Sequence, residues 1–267
     1  MEEYKVRKQI ENGGGYNASV SCGEGWGMKV GIMQPYFLPY LGYYRLIRQV
    51  DRYIFFDTAQ YMYHGWVNRN RILKPGGADW QYICVPVKKH AQTDAIRDVQ
   101  IDNAQPWRER ILGQITHYKK RAPHYRVVAA WLKEVLAQDF TSIADLDVAM
   151  DVAVCAYLGI ETPMERFSEM HLSIEPPQAP DEWALNICRA MGGVEEYWNA
   201  PGGASFFHPE KYEHAGICLR FVDASLPSYR QMGQPFVSGL SVLDAMMFCS
   251  PQEILEMLDG DVAAGNR

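Results

Sequence analysis

The chain has 267 residues, 48% of them hydrophobic and 22% charged, which is the composition of an ordinary soluble globular protein with one large or two small domains. Its net charge of -6 excludes a general binder of nucleic acid or of anionic membrane surfaces, because both need a basic field, yet a local basic patch can still take one small anion. No apolar run approaches the roughly 20 residues that span a bilayer, and no apolar leader segment precedes the first strand, so the expected location is cytoplasmic.

Residues 1–27 read as a flexible N-terminal extension, because NGGGYNASVSCGEGWG is rich in Gly and Ser and lacks periodicity. The six cysteines (Cys22, Cys84, Cys155, Cys188, Cys218 and Cys249) are far apart, with no CxxC and no Cys/His pair at zinc spacing. They are expected to be reduced, buried thiols, and neither a metal site nor a cofactor is expected.

The first predicted strand, Val30–Met33, runs into Gln34-Pro35-Tyr36-Phe37-Leu38-Pro39, whose two prolines keep the loop from entering a helix. A short helix from about Tyr40–Gly42 to Gln49 carries Tyr43, Leu46, Ile47 and Val50 on one face, and Tyr53–Phe56 is the next strand. This is a βαβ unit with a parallel crossover, so the loops after both strands leave the same sheet edge, where ligands of open α/β sheets sit. Beyond Pro75-Gly76-Gly77, strands are predicted at Gln81–Val87 and Ile96–Ile101.

The period then becomes helical. Trp107 to Tyr118, Val128 to Leu136, and a helix capped by Thr141 or Ser142 and closed at Gly159 follow in turn. The stretch IEPPQAP (174–180) marks a boundary between an α/β core with its helices (28–175) and a C-terminal part (176–267). In that part, a helix over Glu182–Met191, a strand over Gly216–Asp223, a helix over Ser241–Phe248 and a last helix capped by Ser250 are predicted, the last with a capping box to Glu253.

The candidate site lies on the two loops after the first two strands. Arg69, between Asn68 and Asn70, has the chemistry to grip a phosphate or carboxylate bidentately while the amides read hydroxyls; the alternative is a brace to Asp57. Asp57, closing the second strand, and His64 are the candidate general bases. Gln34 and Tyr61 are placed to orient reacting groups, Gln60 to bind substrate, and Tyr36, Tyr61 and Trp66 to stack on a sugar or base. Asp244, on an apolar helix, needs a buried partner and reads as a core residue.

The blocks IMQPYFLPYLGYYRLI, DRYIFFD, Gln60-Tyr61 and GWVNRNRIL, with VPVKK, APHY, GICLRF and FVSGLSVLDAMMF further on, resemble the WbqC-like family over roughly Met28 to Leu258. Thr58 stands where a second acid is common in that family, and Tyr63 where a basic residue is common. The resemblance implies O-antigen, other surface-polysaccharide or specialised-metabolite biosynthesis, with acyl or aminoacyl transfer onto an amino sugar. The opening strand–loop–helix–strand is also similar to the pantothenate-synthetase and cytidylyltransferase superfamily, which implies a nucleotidyltransferase-like (Rossmann-like) parallel sheet. Its His-x-Gly-His loop corresponds to Leu41-Gly42-Tyr43-Tyr44, which lacks both histidines.

The expected function is therefore an amide-forming transferase acting on an amino-sugar nucleotide or similar metabolite. The donor would arrive on an acyl-carrier protein or a tRNA, with no membrane or other nucleic-acid partner. The alternatives are a non-catalytic module that binds a sugar nucleotide or carrier, and an ATP-dependent ligase of pantothenate-synthetase type.

Overall fold

A computed structural model describes residues 27–223 and 225–260; most of the expected N-terminal extension lies outside them. Five strands form one parallel sheet: β1 (Met28–Met33), β2 (Arg52–Phe55), β5 (Met164–Arg166), β6 (Val194–Asn199) and β7 (Cys218–Phe221), in the order β5-β2-β1-β6-β7. The chain starts at the central strand, steps outward through β2 and β5, then returns to add β6 on the other side of β1. That reversal puts a topological switch point between β1 and β6, at their carboxyl ends. The α/β class and the parallel crossover from β1 through α1 (Leu41–Gln49) to β2 are as expected.

Side-chain alternation covers both sheet faces. Val30, Ile32 and Ile54 point to one apolar cluster with Leu185 and Ile187 of α5 (Glu182–Met191), whereas Tyr53 and Phe55 point to the other, larger one. On the larger side Tyr43, Tyr44, Tyr53 and Phe55 meet edge-on at 5.2–5.9 Å between ring centres, contacts worth about 0.5–1.5 kcal/mol each beyond burial. The helices α2 (Trp107–Gln114), α3 (Tyr125–Leu136), α4 (Ile143–Leu158), α7 (Val242–Phe248) and α8 (Pro251–Asp259) enclose that side, and a short α6 (Pro209–His214) precedes β7. The capping boxes of Ser142 with Asp145 and of Ser250 with Glu253 are both formed.

Arg45, 1% exposed, fastens α1 to the chain's far end. Its guanidinium donates to the carbonyls of Met257, Leu258 and Gly260 at the end of α8, and to those of Asp223 and Ser225. A cation among orphan carbonyls at a helix C-terminus is favourable in both charge and hydrogen bonding.

Two expectations change. The segment holding Asn68-Arg69-Asn70 is not a loop: β3 (Arg69–Leu73) pairs antiparallel with β4 (Trp80–Cys84) as a separate ribbon turned at Gly76-Gly77. Ile96–Ile101 is a 3-10 turn followed by single bridges, since Ile96, Val99 and Ile101 all bury without a partner strand to extend them. The strands β5 and β6, unrecognised in the sequence, complete the sheet.

Candidate functional site

The loop after β1 is pinned onto the ribbon. The Asn70 side chain, 4% exposed, donates to the carbonyls of Phe37 (3.0 Å) and Leu38 (2.9 Å) and accepts from the Arg71 amide. The Phe37 amide in turn donates to the Trp66 carbonyl (3.1 Å). Asn70 is thus a clamp between loop and ribbon, with both hydrogens of its amide engaged. Asn68 donates from Nδ2 to the Val85 carbonyl (2.9 Å).

Between the segment 60–69 and the segment that leaves β4 lies a cleft of about 930 Å³. Its first wall is held by an antiparallel bridge of Gln60 with Ala95, by the Tyr61 amide on the Asp94 carbonyl (2.9 Å), and by Gln60 Nε2 on the Gln92 carbonyl (2.6 Å). His64 sits at the turn of this wall with φ of 62°, a left-handed conformation that a side chain rarely adopts. Arg69 steadies that turn by donating from Nε to the Gly65 carbonyl (3.2 Å) and from Nη2 to the His64 carbonyl, while its guanidinium lies 4.5 Å above the Tyr82 ring. The alternative reading of Arg69 as a brace to Asp57 is not what the structure has.

The cleft is lined by Arg69, Lys88 and Lys89, by the imidazoles of His64 and His90, and by no Asp or Glu. None of the three cations is in an ion pair among the described residues, although Lys88 donates to Gln100 Oε1 (3.0 Å). In a chain of net charge -6, this is a local concentration of positive charge against a partly apolar wall, the electrostatics that attract an anion. Burial pushes the Tyr61 hydroxyl up to about 12, so it stays a neutral donor; its ring meets His90 edge-on at 4.7 Å. Burial also pushes the Cys84 thiol up, against the opposing pull of Arg69 and Arg110, so the thiolate is disfavoured. Among the described residues no three His, Cys, Asp or Glu side chains converge as a metal-ligand set.

Of the residues singled out in the sequence, Gln60, Tyr61, His64, Asn68 and Arg69 line this cleft. Tyr36, Trp66 and Asn70 line a second, smaller one on the other side of the same strap, with Pro39, Tyr40, Arg71 and Gly239. Gln34 directly follows β1, half-buried, its carbonyl accepting from the Tyr43 hydroxyl (2.9 Å). Asp57 does not join His64: it is fully buried beside a different cleft, and both its oxygens accept from Ser168, from the amide (3.1 Å) and from the hydroxyl (2.6 Å). It ties the end of β2 to the turn that follows β5. Sequence reasoning did not place Lys88, Lys89 and His90 at the site; the run VPVKKH directly after a strand was the signal for them.

Fold and cleft together define an α/β protein with a parallel, Rossmann-like sheet and a cationic cleft beside the segment that follows β2. Residues 34–256 match the WbqC-like protein family, and the chain belongs to it. It is 28% identical over 220 residues to "Uncharacterized protein Rv1507c" of Mycobacterium tuberculosis, covering 82% of this chain and 92% of that protein. No solved structure matches the chain. Among the described residues no helix is long and apolar enough to cross a membrane.

Proposed function

We propose that the protein transfers an acyl or aminoacyl group to the amine of an amino-sugar nucleotide, in surface-polysaccharide or specialised-metabolite biosynthesis. The observation that carries this reading is the cleft with Arg69, Lys88, Lys89 and two imidazoles on its wall and no carboxylate. Such a wall suits a diphosphate, and in this reading the rest of the substrate lies beside His64.

In the reaction the acceptor attacks as the free amine, its ammonium proton having passed to solvent, and the imidazole of His64 takes one proton from the attacking nitrogen. The nitrogen lone pair forms a bond to the donor's carbonyl carbon, the carbon's bond to the carrier sulfur or oxygen breaks, and the imidazolium returns the proton to that leaving atom. The neutral Tyr61 hydroxyl is positioned as a hydrogen-bond donor in the same cleft. His90 is a second imidazole there. Asp57 is left out of this scheme, because Ser168 engages both its oxygens elsewhere.

The test is incubation with a panel of amino-sugar nucleotides and of thioester and ester acyl donors, read by the mass of the product. Product that falls at least about 100-fold in His64→Ala, a typical loss for a general base, supports the scheme. Full turnover in that variant removes His64 as the base. Tight binding of an amino-sugar nucleotide with no turnover by any donor would favour a binding module instead.

A further inference from the structure

The second cleft, about 250 Å³, is walled by the rings of Tyr36, Tyr40 and Trp66 and closed by Arg71 and Gly239. Tyr36, Pro39 and Tyr40 come from the loop after β1, the strand at the sheet's switch point, where the ligands of such sheets gather. Trp66 and Arg71 come from the same stretch of chain, 60–73, that carries His64 and Arg69 into the first cleft, so the two clefts are lined by neighbouring residues of one segment. Arg69 lies 4.5 Å above the Tyr82 ring, and the Tyr82 ring is 6.5 Å from that of Trp66, which keeps the cationic and aromatic sites within the length of one nucleotide.

The aromatic cleft is built for a flat occupant. Trp66 is 40% exposed, with one side stacked by the Arg71 guanidinium at 5.2 Å. Arg71 is fixed in turn over Trp80 at 5.1 Å and by donating to the Gly239 carbonyl (2.9 Å). Gly239, at φ of 63°, stands where a Cβ would come within 3.1 Å of Arg71 Nη2. Tyr40 keeps its place because Gly42 has no side chain; a Cβ there would meet the Tyr40 ring at 2.3 Å. The polar groups offered are a guanidinium and two phenols whose hydroxyls burial holds protonated, with no carboxylate. Donors without an acidic acceptor suit a heterocycle that carries ring carbonyls.

We propose that this cleft binds the nucleobase of a nucleoside diphosphate, with uracil- or guanine-type keto bases preferred, while the diphosphate occupies the cationic cleft across the strap. The inference rests on the reading of that cationic cleft as a phosphate site. The base stacks on Trp66 and Tyr40, and Arg71 donates to a ring carbonyl. An empty aromatic slot then distinguishes a nucleotide-linked substrate from a free sugar phosphate, which fills only the cationic side.

Isothermal titration with inorganic pyrophosphate, UDP, GDP and ADP separates the two readings. The result expected is UDP or GDP bound at least about 10-fold more tightly than pyrophosphate, the margin that stacking one base contributes. Trp66→Ala and Tyr40→Leu should each erase that margin while leaving pyrophosphate affinity unchanged. Pyrophosphate bound as tightly as every nucleotide overturns the base site and leaves the phosphate site standing. An affinity order led by ADP overturns the keto-base assignment. No binding of any of the four overturns both readings.

Discussion

The Arg69 side chain donates to the backbone carbonyl of His64, the residue five positions before it, and stacks over Tyr82 at the same time. One guanidinium therefore shapes the turn that presents the imidazole and contributes charge to the cleft beside it. Lysine cannot reproduce both, since an ammonium has neither the planar fork nor the stacking face. Arg69→Lys is expected to weaken pyrophosphate binding by about 10-fold or more despite keeping the charge, one charge-assisted hydrogen bond being worth about 1.5–3 kcal/mol. Titration calorimetry on the two proteins reads this directly.

His64 occupies left-handed backbone space at φ of 62°. Glycine adopts that conformation without the Cβ penalty, about 1–2 kcal/mol for other residues. His64→Gly is therefore expected to keep or raise the denaturant midpoint while losing product formation, whereas His64→Ala loses activity with no such gain. Urea unfolding and the mass-read assay, run side by side, separate the two effects.

Gly76 and Gly77 turn the ribbon, and both have positive φ, of 105° and 81°. A Cβ on Gly76 would meet nothing within 4 Å, whereas on Gly77 it would come within 2.7 Å of the Gly233 backbone nitrogen. Gly76→Ala is expected to cost about 1 kcal/mol, the backbone penalty alone. Gly77→Ala should cost about 1–3 kcal/mol more, as overpacking does, and loosen the 225–240 segment. Limited proteolysis and thermal melts would show the difference.

Asp147 of α4 is fully buried, and neither carboxylate oxygen has a hydrogen-bond partner among the described residues. Burial, and the charge of Asp151 one turn on, raise its carboxyl well above the ordinary range. Its folded-state pKa thus exceeds the unfolded value of about 3.9, so the stabilisation is fully present below that value and is lost as pH rises through the folded pKa. Asp147→Asn is expected to match the wild type near pH 4 and to be more stable than it at pH 8, by about 1.4 kcal/mol for every tenfold by which folding tightens the carboxyl's hold on its proton. Melting curves across that pH range check both the sign and the window.

The parts of this molecule that were legible are those whose signal is local. The strands β1 and β2 are apolar runs that end in polar loops, and Ser250-Pro251 with Glu253 announces the start of α8 within four residues. The strand β3 was hidden because its outward face carries Arg69 and Arg71 while an asparagine, Asn70, sits on its inward face, so the alternation of apolar and polar residues is blurred. The Pro75-Gly76-Gly77 turn before WQYIC was the clue to its hairpin.

At the site, the neighbourhood of Tyr61, His64 and Arg69 was readable because they share one strap. The separation of Asp57 from His64 was not, since it depends on Ser168, 111 residues further along the chain. The lysines opposite were invisible as partners for a related reason: Lys88 and Lys89 reach the cleft only once β4 pairs with β3.

The most direct measurement is titration of an amino-sugar nucleoside diphosphate, such as a UDP-linked amino sugar, into the wild type and into the Arg69→Ala/Lys89→Ala double variant. The result expected is saturable binding to the wild type and a loss of at least about 100-fold in the variant, two charged contacts being worth about 3 kcal/mol or more. Equal affinity in the two proteins, or no binding to the wild type, would contradict the assignment of the cationic cleft as the substrate site.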